Sequence, residues 1–259
     1  MNLPLSVIII TKDEEQNIHD CLQSVQWADE IILVDAMSAD RTVEIARQFT
    51  QNIFVKEWMG FAAAKQFALD HATNDWVLWI DADERVTERL AEEIQNVITT
   101  QSDVTAYRVA RRAYFLGKWI KHCGWYPGYA VRLFRRVQAR FSEHHVHEHI
   151  QVEGSIGTLR QDLLHLTDRS IEKYFSKYNH YTSLAANGMF QSGRKAHLPD
   201  ILFRPMFIFI KMYFLRLGFL DGMHGFLLCC FSASYVLTKY AKLWEKQIFH
   251  ASTAHEKKS

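Results

Sequence analysis

Val77-Leu78-Trp79-Ile80-Asp81-Ala82-Asp83-Glu84 decides how the chain is read. Its apolar half has the length and composition of a buried strand, and it stops abruptly in three acids within four positions. Such an ending points to a solvent-filled cleft. If extended backbone persists through Asp83, the period of two puts the Asp81 and Asp83 carboxylates on one side, where they can share a divalent cation. Two hard oxygen donors at a strand end suit Mg²⁺ or Mn²⁺ carrying a phosphorylated substrate. Asp-x-Asp alone also fits a polar turn in which Asp83 caps the next helix, so the flanking segments have to discriminate.

Upstream, residues 6–10 (Ser-Val-Ile-Ile-Ile) read as a fully buried strand, and Asp13 with Gln16 offers a capping-box start to a helix reaching Ser24. A second buried run, residues 30–34, ends in Asp35, and a helix is expected after Asp40, from Arg41 to Phe49. A short strand near 52–55, a helix over 61–72 and the strand 76–80 continue the alternation. The pattern predicts an α/β fold with a doubly wound sheet, whose ligands bind outside the carboxyl ends of the strands. Polar residues collect at those ends: Thr11 and Asp13, Asp35 and Ser38, Asp81 and Asp83. Acids from separate loops converging on one crevice are costly without a cation or ligand hydroxyls between them.

The 259 residues carry 30 Lys plus Arg against 29 Asp plus Glu, a formal charge of +1, so nothing global favours nucleic acid as a partner. Cys21, Cys123, Cys229 and Cys230 have neither zinc-site spacing nor the density of a disulfide scaffold, which fits a reducing, cytosolic-facing compartment. The apolar run at residues 6–10 passes at once into Thr11-Lys-Asp-Glu-Glu15, so it is expected to be a first strand and not a signal peptide.

These segments, in order, resemble family 2 GT-A glycosyltransferases, and within them the lipopolysaccharide-core β-1,4-glucosyltransferase group. Ser6-Val-Ile-Ile-Ile-Thr-Lys-Asp-Glu-Glu15 is similar to the family's opening strand and Thr-Lys-Asn-Glu-Glu turn, with Asp13 where Asn is usual. Val34-Asp-Ala-Met-Ser-Ala-Asp-Arg-Thr42 resembles its nucleotide loop, with Met37 and Arg41 in place of two glycines, and side chains there restrict φ as glycine would not. Gly60-Phe-Ala-Ala-Ala-Lys-Gln-Phe-Ala68 and Trp79-Ile-Asp-Ala-Asp-Glu-Arg85 are similar to two further blocks. The resemblance implies a GT-A fold, Rossmann-like with a mixed central sheet. It further implies nucleotide-sugar binding by Thr11, Asp13, Asp35, Lys65 and Asp81, with Asp83 on a Mg²⁺ or Mn²⁺ ion. Of the three acids, Glu84 is expected to be an ordinary helix-start acid. The catalytic domain would cover residues 1–170, its nucleotide-sugar half about 1–100 and its acceptor half about 101–170.

Residues 107–141 are dense in aromatics and arginines, a mixture that suits either nucleic acid or sugars and phosphates. Trp125-Tyr-Pro127 followed by Arg132-Leu-Phe134 resembles the family's acceptor-side segment, which implies acceptor binding by Trp125, Tyr126 and Arg132. In Glu143-His-His-Val-His-Glu-His149 the alternating His145, His147 and His149 suggest zinc, but the spacing matches no standard structural site; the resemblance implies instead that Glu148 is the base that activates the acceptor hydroxyl. His165, alone among apolar residues, reads as a core histidine or, by the resemblance, as a second metal ligand. Tyr174, Tyr178 and Tyr181 form a helical stripe more suited to packing than to sugars.

After Pro199 the composition changes. Residues 201–220 are crowded with apolar side chains but carry Arg204, Lys211 and Arg216, and 222–238 run 17 residues without a formal charge. That run only just reaches the length needed to cross a bilayer and is unusually polar for it. A helical, membrane-associated region over 171–248 is expected, in which a pair of helices after Pro199, broken near Asp221 and Gly222, lies in one leaflet anchored by Arg204, Lys211, Arg216, Lys239 and Lys242, with a disordered tail from 249. The implied partners are a UDP-sugar donor, a lipid-anchored core oligosaccharide acceptor and the membrane surface on the cytoplasmic side. A phosphoryl-transfer enzyme using the Asp81/Asp83 pair, and a non-enzymatic membrane-surface module on the same fold, are the competing readings.

Overall fold

The structure is a computed structural model that describes residues 3–100, 102–142 and 149–256. In chain order its elements are β1 (Leu3–Thr11), α1 (Ile18–Gln23), β2 (Ala28–Asp35), α2 (Thr42–Ala46), β3 (Ile53–Val55), α3 (Phe61–Asp70), β4 (Trp76–Asp81), β5 (Glu84–Val86) and α4 (Glu88–Thr99). Then follow β6 (Val104–Phe115), β7 (Lys118–Trp119), β8 (Gly128–Arg135), β9 (Ala139–Ser142), β10 (His149–Val152) and β11 (Ser155–Asp168). Helices α5 (Ile171–Gln191), α6 (Leu198–Ile210) and α7 (Gly222–Glu256) complete the chain. The chain divides into two compact units, one of residues 1–113 and 127–167, the other of 114–126 and 168–259.

The first unit is built on a sheet in the order β3-β2-β1-β4-β8-β6-β11-β5. Strands β1 to β4 run parallel, whereas β8 is antiparallel to β4 and to β6, so the sheet is mixed, as expected. The period of two along the parallel strands sorts side chains onto two faces. Leu5, Val7, Ile9, Ile31 and Leu33 pack with Leu22 of α1 and Leu90, Ile94 and Ile98 of α4. Ile8, Ile32, Val34 and Val77 pack on the opposite face with Ala64, Ala68 and Leu69 of α3. Helix α4 starts where Thr87 accepts the Leu90 N–H at 3.2 Å, and its apolar residues recur with helical spacing.

Three local readings change. Asp13 does not cap a helix: its φ is 53°, and α1 begins only at Ile18 behind Asn17. The helix expected over 41–49 is the five-residue α2. The extended backbone expected to reach Asp83 ends at Asp81, followed by a tight turn into β5.

In the second unit α5 is capped by Ser170, whose hydroxyl accepts the Lys173 N–H. Helix α6 passes into a π-helical turn over Lys211–Leu215 and a 3₁₀ turn over Gly218–Asp221 before α7 starts at Gly222, φ +63°, the break the sequence predicts. Helix α7 then continues to Glu256, beyond the point where the tail was expected to begin. Residues 114–126, read as acceptor half from the sequence, pack here: Phe115, Ile120 and Cys123 form a core with Leu228 and Cys229 of α7.

Candidate active site

The carboxyl ends of β2, β1 and β4 lie side by side at one level. Thr11 is paired in register with Asp35, and Ile10 with Asp81. Asp35 is fully buried, its two oxygens accepting the Ser38 N–H at 2.8 Å and the Ser38 hydroxyl at 2.5 Å. The same Ser38 oxygen accepts the Asp13 N–H, and the Asp13 carboxylate accepts the Ala39 N–H, both at 2.8 Å. Asp13 therefore ties the first loop to the second. Asp40 completes the tie, accepting from Glu15 N–H and from both the N–H and the hydroxyl of Thr42. Burial opposes ionisation of Asp40, but these donors outweigh it and hold the carboxyl below its ordinary 3.8.

Of the two positions where glycine is usual in the resemblance, only one needs glycine's freedom. Met37 sits at φ 54°, in the left-handed region, with its side chain in solvent, whereas Arg41 has an ordinary φ of −81°. The loop keeps its shape at a cost of about 1–2 kcal/mol at Met37.

At the end of β4 the acids are sorted by what they touch. Arg132 of β8, 2% exposed, donates from Nη2 to Asp81 Oδ2 and to Glu84 Oε1, each at 2.7 Å. The Glu84 side chain is wholly buried, and its second oxygen accepts the Asp81 N–H at 3.0 Å. Asp81 remains one-third exposed, the member of this trio that reaches the cleft. Burial raises its carboxyl, but Arg132 and then Lys65 overcome that and hold it at about 2. For Glu84 burial prevails, reinforced by the charge of Asp81, and the carboxyl is raised. Trp79 underlies both cations: the Lys65 ammonium and the Arg132 guanidinium each lie 4.0 Å from its ring centre.

Asp83 takes the other direction. Its Oδ2 is 3.6 Å from His165 Nε2 on β11, and its carbonyl accepts the Leu166 N–H at 2.8 Å. The turn that separates Asp83 from Asp81 is stapled by Arg85, which donates to the carbonyls of Ala82, Glu84 and Asn17. A carboxylate and an imidazole converging at this distance are donors that fit Mn²⁺ or Mg²⁺, ions that take one or two protein carboxylates and complete their shells with water and phosphate. Among the described residues no three His, Cys, Asp or Glu side chains gather as a cage.

The structure thus brings together Thr11, Asp13, Asp35, Lys65, Asp81, Asp83 and His165. Two expectations change. Glu84 is not a helix-start acid, because the turn carries it into β5 beneath the site, and α4 begins only at Glu88. Arg132 does not present itself to an acceptor; antiparallel pairing of Leu133 with Leu78 sets it beside Trp79, where it is committed to Asp81 and Glu84. Trp125 and Tyr126 belong to the second unit, Trp125 against the Phe115 core and Tyr126 edge-on to Trp119. Glu148, with His145 and His147, lies outside the described residues. Sequence reasoning also missed Trp79 and Arg85. Period-two alternation from Asp81 could have found Trp79; nothing local marks Arg85.

Comparison with known proteins meets this geometry. Residues 6–152 match the glycosyl transferase family 2 profile, more than half of the chain. The chain belongs to glycosyl transferase family 2. It is 30% identical to the lipopolysaccharide core biosynthesis glycosyltransferase LpsC of Rhizobium meliloti (strain 1021), over 96% of this chain and 95% of that one. An uncharacterized glycosyltransferase of Rickettsia typhi is 31% identical over 93% of this chain and 87% of its own length. Among solved structures, the mannosyltransferase PcManGT of Pyrobaculum calidifontis, in complex with GDP-Man and Mn²⁺, superposes with a TM-score of 0.55 at 15% identity, covering 95% of this chain and 88% of that one. The fold is GT-A and the protein is a glycosyltransferase, which displaces both the phosphoryl-transfer and the non-enzymatic reading.

Proposed function

We propose that this family 2 enzyme moves a hexose, glucose by its resemblance, from a UDP-sugar to the inner core of lipopolysaccharide at the cytoplasmic face of the membrane, with inversion and with a divalent cation. The observation that carries the reading is the convergence of Thr11, Asp35 and Asp81 on three neighbouring strand ends, with Asp83 and His165 beside them. Buried Asp35 and Thr11 suit the base and ribose. Lys65 and Asp81 border the ribose and diphosphate, where an ammonium fixed over Trp79 offers charge to phosphate oxygens. Asp83 and His165 would hold the cation; when bound, it supplies positive charge to the departing diphosphate.

Inversion needs a single displacement. The acceptor hydroxyl attacks the anomeric carbon opposite the UDP oxygen, that carbon–oxygen bond breaks, and a carboxylate takes the hydroxyl proton. Glu148 is assigned that proton by the resemblance. Trp125 and Tyr126 are assigned the acceptor sugars, and Arg132 is reassigned to holding Asp81. The lipopolysaccharide core as acceptor is supported by the likeness to LpsC, a lipopolysaccharide core biosynthesis glycosyltransferase, and the cation by the Mn²⁺ in the mannosyltransferase complex. A screen of UDP- and GDP-sugars with Mn²⁺ and deacylated core oligosaccharide, followed by linkage analysis, tests the reading. Transfer from a UDP-hexose to the inner core is expected, and transfer only from GDP-sugars, or only to an unrelated acceptor, would contradict it.

A further inference from the structure

Residues 214–223 are among the least water-adapted on the surface of the second unit. Phe214, Leu215, Leu217, Phe219, Leu220 and Met223 are each 44–71% exposed. The chain before them continues the surface, since α6 buries none of its residues and leaves Phe203, Met206 and Phe207 more than half exposed. Contiguous apolar surface of this kind marks an interaction site in a natural protein.

The knuckle is nevertheless firmly built. Asp221, 2% exposed, accepts the backbone N–H groups of Lys121 and His122 and faces His122 Nδ1 at 3.1 Å. Its carbonyl accepts the Lys118 ammonium at 2.8 Å, and the Arg216 carbonyl accepts the Cys123 N–H at 3.0 Å. Gly218 and Gly225 admit no side chain, because a Cβ on Gly225 would stand 2.0 Å from the Gly218 carbonyl oxygen and one on Gly218 would stand 2.8 Å from Cys123 Sγ. Leu217 is held at φ 54°. A pinned backbone that turns its large apolar side chains outward is not a loosely packed core.

The charged side chains of this stretch are mainly basic, although Arg204 is paired with Asp200 just before it. Residues 201–244 contain a single acid, the buried Asp221, against Arg204, Lys211, Arg216, Lys239 and Lys242. Lys118, Lys121 and Arg216 are exposed beside the knuckle. An apolar tip with a basic rim complements an anionic lipid leaflet.

Helix α7 is long and apolar enough to cross a membrane, within the 32-residue helical segment Gly218–Phe249 whose most apolar stretch of 18 residues has a mean hydropathy of 1.3, yet its surroundings oppose this. Its Ser234 and Thr238 hydroxyls bond Tyr178 of α5, and its Lys242 ammonium is held by Asn179, Thr182 and Ser183. The exposed side of α5 carries Glu172, Lys173 and Lys177, groups that do not face hydrocarbon.

We infer that the knuckle 214–223, pinned by Asp221, inserts into the interfacial layer of an anionic phospholipid leaflet, with α6 lying along the surface and α7 not spanning. The inference rests on the membrane-surface part of the function proposed above. The full-length protein is sedimented with vesicles of phosphatidylglycerol and phosphatidylethanolamine, and with neutral phosphatidylcholine vesicles, as wild type, as L215S/F219S and as L220D. Strong binding to the anionic vesicles, weakened by salt and reduced about a hundredfold in L215S/F219S, is expected. L220D, which adds a charge to the same surface at a side chain that is 56% exposed, is expected to fall by a similar factor. All three proteins should keep their helical circular dichroism and their transfer to a soluble acceptor. Unchanged vesicle binding by both variants overturns the inference. So does a wild-type dimer in lipid-free solution that L220D dissolves, since the surface would then belong to a second copy. Failure of soluble-acceptor transfer by a wild type that binds vesicles would count against the proposed reaction and leave the docking surface standing.

Discussion

Replacing Arg132 by Met tests the charge arrangement beneath the site. The guanidinium is 2% exposed and serves two carboxylates at 2.7 Å, one of which, Glu84, has no exposed side-chain surface. Methionine fills most of the volume but leaves Glu84 and Asp81 facing each other without their shared cation. Removing one partner of a buried ion pair costs about 3–5 kcal/mol. In a unit of this size that corresponds to a fall of about 6–20 °C in melting temperature. The assay is thermal and urea unfolding of wild type, R132M, E84Q and R132M/E84Q. Because E84Q removes the charge that R132M strands, the double variant should be less destabilised than the sum of the singles by about 2 kcal/mol or more. A single variant within about 1 kcal/mol of wild type, or strictly additive changes, would refute the assignment of Arg132 as the cation that holds both acids.

Other consequences are separable. Met37→Gly relieves a left-handed residue whose side chain is 59% exposed, so it should stabilise the protein by about 0.5–1 kcal/mol in urea unfolding; destabilisation would mean that the Met37 side chain is packed. The Asp40 carboxyl is depressed in the folded state, so its contribution is complete above pH 3.8 and is lost as pH falls through the lower folded value. Asp40→Asn should therefore flatten the acid limb of the stability profile below about pH 4, and an identical limb would dismiss the loop tie. Glu148→Gln should lower turnover by about 10²-fold or more while leaving UDP-sugar affinity within about twofold; near-normal turnover would remove Glu148 as the base.

What was legible in the sequence follows from the range of the forces involved. The buried runs of β1, β2 and β4 and the acids that end them are local facts, and parallel pairing of those strands brings Thr11, Asp35 and Asp81 together. The fate of Glu84 is not local. It is set by Arg132, 48 residues away, and by the turn that carries it under the sheet, so the same residue reads as a helix-start acid until β8 is in place. The resemblance put Arg132 on the acceptor side; only the register of β8 sets it against Trp79, where it bonds Asp81 and Glu84. Residues 114–126 resembled catalytic-domain sequence, yet Phe115, Ile120 and Cys123 find their apolar partners in α7. The apolar run after Pro199 was legible in composition. The outward turn of the knuckle was not, because it depends on Asp221 meeting backbone N–H groups 99 and 100 residues earlier.

The central claim is that the end of β4 and His165 form a cation-assisted sugar-donor site. Its most direct test is transfer from UDP-hexose to deacylated core acceptor by wild type and D83N, each with Mn²⁺ and with excess EDTA. Wild-type transfer should require the metal, and D83N should lose about 10²-fold or more at any Mn²⁺ concentration while melting like wild type. Metal-independent transfer, or a D83N enzyme that works as well as wild type, would contradict the account.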